Sequence, residues 1–224
     1  MAVISDINRY IDYIRDPKDD FETYLAKARD MNFRCIFAYE ETYDRAREVL
    51  AGTDVLVATA IDFPEGTMPL DEKAKLFEAR FSYGFDEVDY VINQPALEAR
   101  DWDAVKHEMS VLHEICAAHN VGDKVIIEMP KLDGDDDAKR MVCKIAAEVK
   151  PKFLKTSSGR PYKASLADVE LMAEELAGTG VLIKAAGGIR AYDQAAAFVG
   201  AGASALGASA GIAIVEGATQ QAGE

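Results

Sequence analysis

Short apolar runs rich in β-branched and aromatic residues alternate along this chain with longer stretches rich in Ala, Glu and Lys. That alternation is the pattern of βα units, whose helical crossovers cover a parallel sheet. It predicts strands over 34–38, 55–61, 87–93, 124–128, 153–156, 181–185 and 204–206. Helices are expected over 40–50, 70–83, 102–119, 136–149, 165–176 and 191–199, with a turn at Asp62-Phe63-Pro64-Glu65-Gly66. The segment 7–14 can supply an eighth strand, ahead of a helix over 20–30. Eight βα units in 224 residues make a compact TIM barrel, a single domain over 1–224. Ile4, Ile7, Ile11 and Ile14 are spaced as on a helix, however. A helical start would leave seven strands and a doubly wound open sheet.

Composition narrows the partners. The hydrophobic fraction of 49% supplies a large core. A formal net charge of −14 argues against nucleic acid and against an anionic membrane surface. No apolar run approaches the roughly 20 residues that span a bilayer, and the charged N-terminus carries no signal-peptide pattern. Cys35, Cys116 and Cys143 are odd in number and lack metal-site spacing, which fits a reduced cytoplasmic setting. His107, His113 and His119 recur every six residues, so no two share a helix face and no metal site is expected.

Against this acidic background the basic residues at strand ends stand out. Lys155 follows Phe153-Leu154, and Lys184 follows Val181-Leu182-Ile183. In a barrel both lie at C-terminal strand ends, where active sites are built. Burial disfavours an ammonium, and two close ammoniums depress each other's pKa. A neutral amine is what a Schiff-base nucleophile needs. Asp62, Asp89, Asn93 and Glu128 share this strand-end placement. Asp89, between Val88 and Tyr90, needs a partner if it faces inward, and the lysines offer one. The plain alternatives are a lysine snorkelling from a strand edge and an aspartate facing solvent. Gly187-Gly188 before a helix, Gly207-Ala208-Ser209 after the last strand, and Arg160 and Arg190 suggest a phosphate cradle. A simple turn would also explain the glycine pair.

Together these segments resemble a known family. Lys-Thr-Ser-Ser-Gly at 155–159, Lys-Ala-Ala-Gly-Gly-Ile-Arg at 184–190, Asp-Glu-Val-Asp at 86–89 and Lys-Val-Ile-Ile-Glu at 124–128 look like deoxyribose-phosphate aldolase, in order and in spacing. The resemblance covers roughly 30–215. It implies a class I aldolase, a lyase on a TIM barrel that reversibly splits 2-deoxy-D-ribose 5-phosphate into acetaldehyde and D-glyceraldehyde 3-phosphate. It implies no cofactor and no metal, a place in deoxyribose phosphate and nucleoside catabolism, and partners limited to a sugar phosphate and a short aldehyde. A cytoplasmic homo-oligomer, a dimer, is expected. Lys155 matches the Schiff-base lysine, Lys184 the second lysine and Asp89 the proton-relaying carboxylate. Gly159, Arg160, Gly187, Gly188, Arg190, Gly207 and Ser209 match positions around the phosphate.

Three departures accompany the match. An Asp followed by Thr is usual on the first strand, where the aligned stretch 7–10 has no acid. Cys-Val followed by Asn-Pro or Tyr-Pro is usual on the second, read here as Phe37-Ala38-Tyr39-Glu40. Some members end in a tyrosine that assists proton transfer; here 220–224 contain none. Two other readings stand beside the first: a related lysine-dependent aldolase for another sugar phosphate or an unphosphorylated aldehyde, and a non-catalytic phosphosugar-binding barrel.

Overall fold

The computed structural model describes residues 3–223. Eight parallel strands close into one barrel in chain order. They are β1 (Ile11–Tyr13), β2 (Cys35–Phe37), β3 (Leu56–Ile61), β4 (Glu87–Val91), β5 (Gly122–Ile126), β6 (Phe153–Lys155), β7 (Leu182–Ala186) and β8 (Ala205–Ala208). The helices are α1 (Phe21–Asp30), α2 (Glu40–Val49), α3 (Leu70–Phe81), α4 (Gln94–Glu98), α5 (Trp102–Ala118), α6 (Asp136–Val149), α7 (Leu166–Glu175), α8 (Tyr192–Gly200) and α9 (Gly211–Ala222). The architecture is a single-domain TIM barrel, because β1 pairs with both β2 and β8 and so closes the sheet.

The ambiguous start resolves into two pieces. Ile7–Tyr10 forms a 3₁₀ turn that runs straight into β1, and both bury an isoleucine, Ile7 and Ile11. The helix-like spacing was the sum of a turn and a strand. Two elements escape the sequence pattern. The short α4 forms because Asn93 accepts from the Ala96 N–H at 2.9 Å and Pro95 sits in the first turn. The helix α9 is rich in Ala, Gly and Ile and carries one charge, so it has little amphipathic signature. Its Gly217 lies against α8, where a Cβ would come within 2.9 Å of Tyr192 Cβ.

The strand register decides what faces inward. Side chains alternate with period two, and laterally paired residues share a face. The pairs Asp12↔Cys35, Asp89↔Lys124, Ile126↔Lys155, Lys155↔Lys184, Ala186↔Gly207 and Asp12↔Gly207 place these residues on one face. The alternate residues Val88, Tyr90, Val125, Leu154 and Ile183 are buried on the other face, beneath the helices. Tyr90 meets Phe77 of α3 edge-on, with centroids 5.3 Å apart. Each such buried side chain contributes roughly 1.5–3 kcal/mol.

Part of the acidic surplus serves the helices. Asp20, Asp101 and Asp135 accept from the N–H groups of Thr23, Ala104 and Ala138 at 2.7, 3.1 and 3.0 Å. Each cap adds about 1 kcal/mol.

Candidate active site

The inward face carries a compact lattice of charge. Asp89 Oδ2 accepts from Lys155 Nζ at 2.7 Å and from Lys184 Nζ at 2.8 Å. Its other oxygen lies 2.8 Å from Lys124 Nζ. Lys184 also reaches Asp12 Oδ2 at 2.7 Å, and Lys124 reaches Glu87 at 3.0 Å and Asp12 at 3.4 Å. Beneath them, Arg34 pairs with Asp12 through Nε at 2.6 Å and with Glu87 through both terminal nitrogens at 3.1 and 2.7 Å. Asp12, Glu87, Asp89, Lys124, Lys155 and Lys184 are all buried. Three strands, β4, β6 and β7, thus bring Asp89, Lys155 and Lys184 to one point.

Charge in a buried site is decided by partners. Burial drives Lys155 toward its neutral form. The single carboxylate opposing this is shared with Lys184, and Lys184 and Lys124 add repulsion. The pKa of Lys155 falls to about 8. Burial acts on Lys124 in the same sense, but Asp89, Glu87 and Asp12 outweigh it and hold that ammonium well above the ordinary lysine value. Burial would raise Asp89, yet Lys124, Lys155 and Lys184 hold it well below the usual carboxylate range.

The mouth of the barrel is built by loops. Phe63 lies beside Lys155, whose Nζ is 5.6 Å from the ring centroid, and the Arg160 guanidinium covers the same ring at 5.8 Å. Asp62 fixes this loop by accepting from the Thr67 and Met68 N–H groups and from Lys73. Glu128, in a left-handed conformation at φ 64°, accepts from the Ser158 N–H at 3.0 Å, and burial raises its pKa. Asn93 turns away from this lattice to cap α4.

The glycine-rich rim divides into parts. Gly187 and Gly188 have φ of 97° and 82°, which favour glycine. The space at Gly187 is filled by the chain itself: a Cβ would meet Tyr162 O at 2.7 Å and the Gly159 Cα at 3.0 Å. The stem of Lys163 lies over Gly188. Gly207 is buried on the inward face, where a Cβ would sit 2.9 Å from Ala186 Cβ and 3.6 Å from Lys184 Cε, so it makes room for the lysine stem. Gly159, Arg160, Gly188, Arg190 and Ser209 are exposed. Gln194 accepts the Arg190 and Ala191 N–H groups and so covers the start of α8, whereas α9 begins at Ala210 with no side-chain cap.

No family model matches the chain. Curated relatives do. A deoxyribose-phosphate aldolase of Lactobacillus acidophilus is 37% identical over 220 residues, covering 95% of this chain and 91% of that protein. One from Streptococcus pneumoniae is 37% identical over 216 residues, covering 94% and 96%. Among solved structures, a tetrameric deoxyribose phosphate aldolase from Aeropyrum pernix matches with a TM-score of 0.83 at 26% identity, over 95% of this chain and 90% of that one. An aldolase designated QR15 matches at 0.85 and 26% identity, over 97% of each. This chain belongs to the deoxyribose-phosphate aldolase family.

Membership in the aldolase family revises two departures. The first-strand acid is present: it is Asp12 on β1, two residues beyond the stretch 7–10, which forms the preceding 3₁₀ turn. The second-strand cysteine is Cys35, because β2 reads Cys35-Ile36-Phe37 and continues into Ala38. Phe37 and Ala38 thus stand where Asn-Pro or Tyr-Pro is usual. The Phe37 ring faces the lattice, 4.9 Å from Lys184 Nζ and 5.2 Å from Lys124 Nζ. Sequence reading gave no role to Asp12, Arg34, Glu87 or Lys124. The signal for Asp12 was available: an acid flanked by Ile11 and Tyr13 resembles Asp89 between Val88 and Tyr90. Among the described residues no helix is long and apolar enough to cross a membrane.

Proposed function

We propose that this chain is a class I aldolase that reversibly splits 2-deoxy-D-ribose 5-phosphate into acetaldehyde and D-glyceraldehyde 3-phosphate through a Schiff base on Lys155. The observation that carries this reading is Lys155 itself: buried, left with part of one carboxylate, and titrating near 8. A detectable fraction is neutral at pH 7 and ready to attack a carbonyl carbon.

In the cleavage direction the neutral Nζ adds to C1 of the open-chain aldehyde. The carbinolamine loses water as its hydroxyl takes up a proton, leaving an iminium. Asp89, which accepts from both lysines through one oxygen, relays these protons through water. Breakage of the C2–C3 bond sends its electron pair into the iminium to form an enamine, while the C3 hydroxyl gives up its proton through water to Asp89 and C3 becomes the aldehyde carbon of glyceraldehyde 3-phosphate. Protonation of the enamine carbon and hydrolysis return acetaldehyde and the free amine. Lys184, held between Asp12 and Asp89, supplies the positive charge that keeps Lys155 from holding its proton.

The substrate phosphate is assigned to the exposed rim: Gly188, Arg190, Ser209 and the uncapped start of α9, with Gly159 and Gly187 shaping the loop and Arg160 at the mouth. The residues 1–224 act as one aldolase domain, a homodimer in the cytoplasm, with no metal, nucleic acid or membrane partner. The charge of −14 supports the last two points.

Phe37 favours a second reading of the substrate. The Phe37 ring inside the lattice has no polar atom where an amide or a phenol is usual, which suits another sugar phosphate or an unphosphorylated aldehyde. Turnover across a panel of these substrates tests both readings. Highest kcat/KM on deoxyribose 5-phosphate supports the first. No turnover of any panel member would overturn both and leave a binding barrel.

A further inference from the structure

The floor of the barrel holds a cation that the reaction above does not use. Arg34 stands just before β2, its side chain mostly buried. It forks across Asp12 of β1 and Glu87 of β4, and its guanidinium lies 5.2 Å from the Phe153 ring centroid. Phe153 pairs laterally with Lys124 and precedes Lys155 by two residues on the same face. Arg34 is thus one layer below the reacting amine.

Among the described residues the buried lattice contains four cations, Arg34, Lys124, Lys155 and Lys184, and three anions, Asp12, Glu87 and Asp89. Other groups do not close the gap. Strands β3 and β8 contain no titratable residue. Cys35 beside Asp12 and Glu87 is pushed by burial up to about 12 and stays neutral. The Tyr24 hydroxyl donates to Tyr13 O, accepts from the Phe37 N–H, and is raised further by burial. Glu128 pairs with none of these cations. Lys152 reaches Glu87 at 2.8 Å from a largely solvated position and adds positive charge. One buried cation is in excess, and the amine with the weakest share of carboxylate gives up its proton.

We propose that Arg34, with Glu87, is a positioning pair for this chain's reaction: it neutralises the floor carboxylates, so that Asp89 alone faces Lys155, and thereby sets the pH at which Lys155 becomes nucleophilic. The inference rests on the Schiff-base reading above. Without Arg34 the lattice loses its excess cation, and Asp12 and Glu87, left to Lys124, Lys184 and Lys152, add more negative charge around Lys155 in a low-dielectric core. That charge stabilises the Lys155 ammonium. Removing the Glu87 charge does the reverse.

The test is the pH dependence of borohydride trapping with acetaldehyde, followed by intact mass, for wild type, Arg34→Gln, Arg34→Lys and Glu87→Gln. We expect a wild-type midpoint near pH 8. Arg34→Gln should move it up by about one pH unit, a roughly tenfold loss of trapping rate at neutral pH. Arg34→Lys, which keeps the charge, should restore most of it. Glu87→Gln should move the midpoint down. Opposite shifts from two substitutions in one ion pair are not produced by general loosening of the fold. If Arg34→Gln does not fold, Glu87→Gln decides alone. A wild type that is never trapped would overturn the Schiff-base reading. Trapping in wild type with an unmoved or raised midpoint in Glu87→Gln would overturn the role of the pair and leave that reading intact.

Discussion

Lys124 and Lys155 lie on neighbouring strands of the same barrel, both buried and both within 3 Å of Asp89. One is locked as an ammonium and the other is poised to lose its proton. Burial favours the neutral form of both, so the share of carboxylate decides between them. Lys124 has three carboxylates, Asp12, Glu87 and Asp89. Lys155 shares one oxygen of one carboxylate with Lys184. The floor of the barrel over-satisfies its cation and stabilises the lattice; the mouth under-satisfies its own and so becomes reactive.

This contrast can be broken in several places. The largest effect belongs to Lys155→Leu, which should abolish turnover, because Lys124 and Lys184 each hold more than one carboxylate; residual turnover within tenfold of wild type would defeat the comparison. Lys124→Met removes the cation that holds three buried carboxylates together. It should lower unfolding free energy by about 3–5 kcal/mol, read from urea titration. A loss under 1 kcal/mol would mean the floor is not stabilised by charge. Asp89→Asn separates two functions of one carboxylate. With its anion gone, Lys155 should titrate lower, so trapping begins at more acidic pH, while turnover falls by roughly 10²–10³ for want of a proton relay. Turnover that survives alongside the shifted trapping would show that Asp89 tunes Lys155 without moving protons. The smallest effect is at the rim: Arg190→Ala should raise KM for deoxyribose 5-phosphate about tenfold and leave kcat and unphosphorylated aldehydes unchanged. An equal loss with both substrates would remove Arg190 from the phosphate site.

What could be read from the chain follows the same division. Lys155, Lys184 and Asp89 announce themselves because a charged residue at the end of an apolar strand is physically anomalous. The βα alternation gave the barrel for the same reason, since each strand is apolar on both faces except where chemistry intrudes. The floor stayed hidden. Asp12 was masked by an isoleucine spacing that a 3₁₀ turn and a strand produce jointly. Arg34 precedes β2 and Lys124 opens the apolar run Val125-Ile126-Ile127, where a basic residue looks like an ordinary surface boundary; the Asp89↔Lys124 pairing and the ion pairs of Arg34 with Asp12 and Glu87 turn them inward. Gly207 carries a packing role that Gly-Ala-Ser does not announce, since its missing side chain leaves room for the Lys184 stem. The α9 helix lacked the charged face that marks its neighbours.

The most direct test of the central claim is to map the adduct. Wild-type protein is reduced with borohydride in the presence of acetaldehyde at pH 7, digested, and every lysine-bearing peptide weighed. Selective ethylation of the Lys155 peptide, with the Lys124 and Lys184 peptides unmodified, is the result the partner count predicts. Ethylation of Lys124 or Lys184 at a comparable rate, or of surface lysines alone, would contradict it.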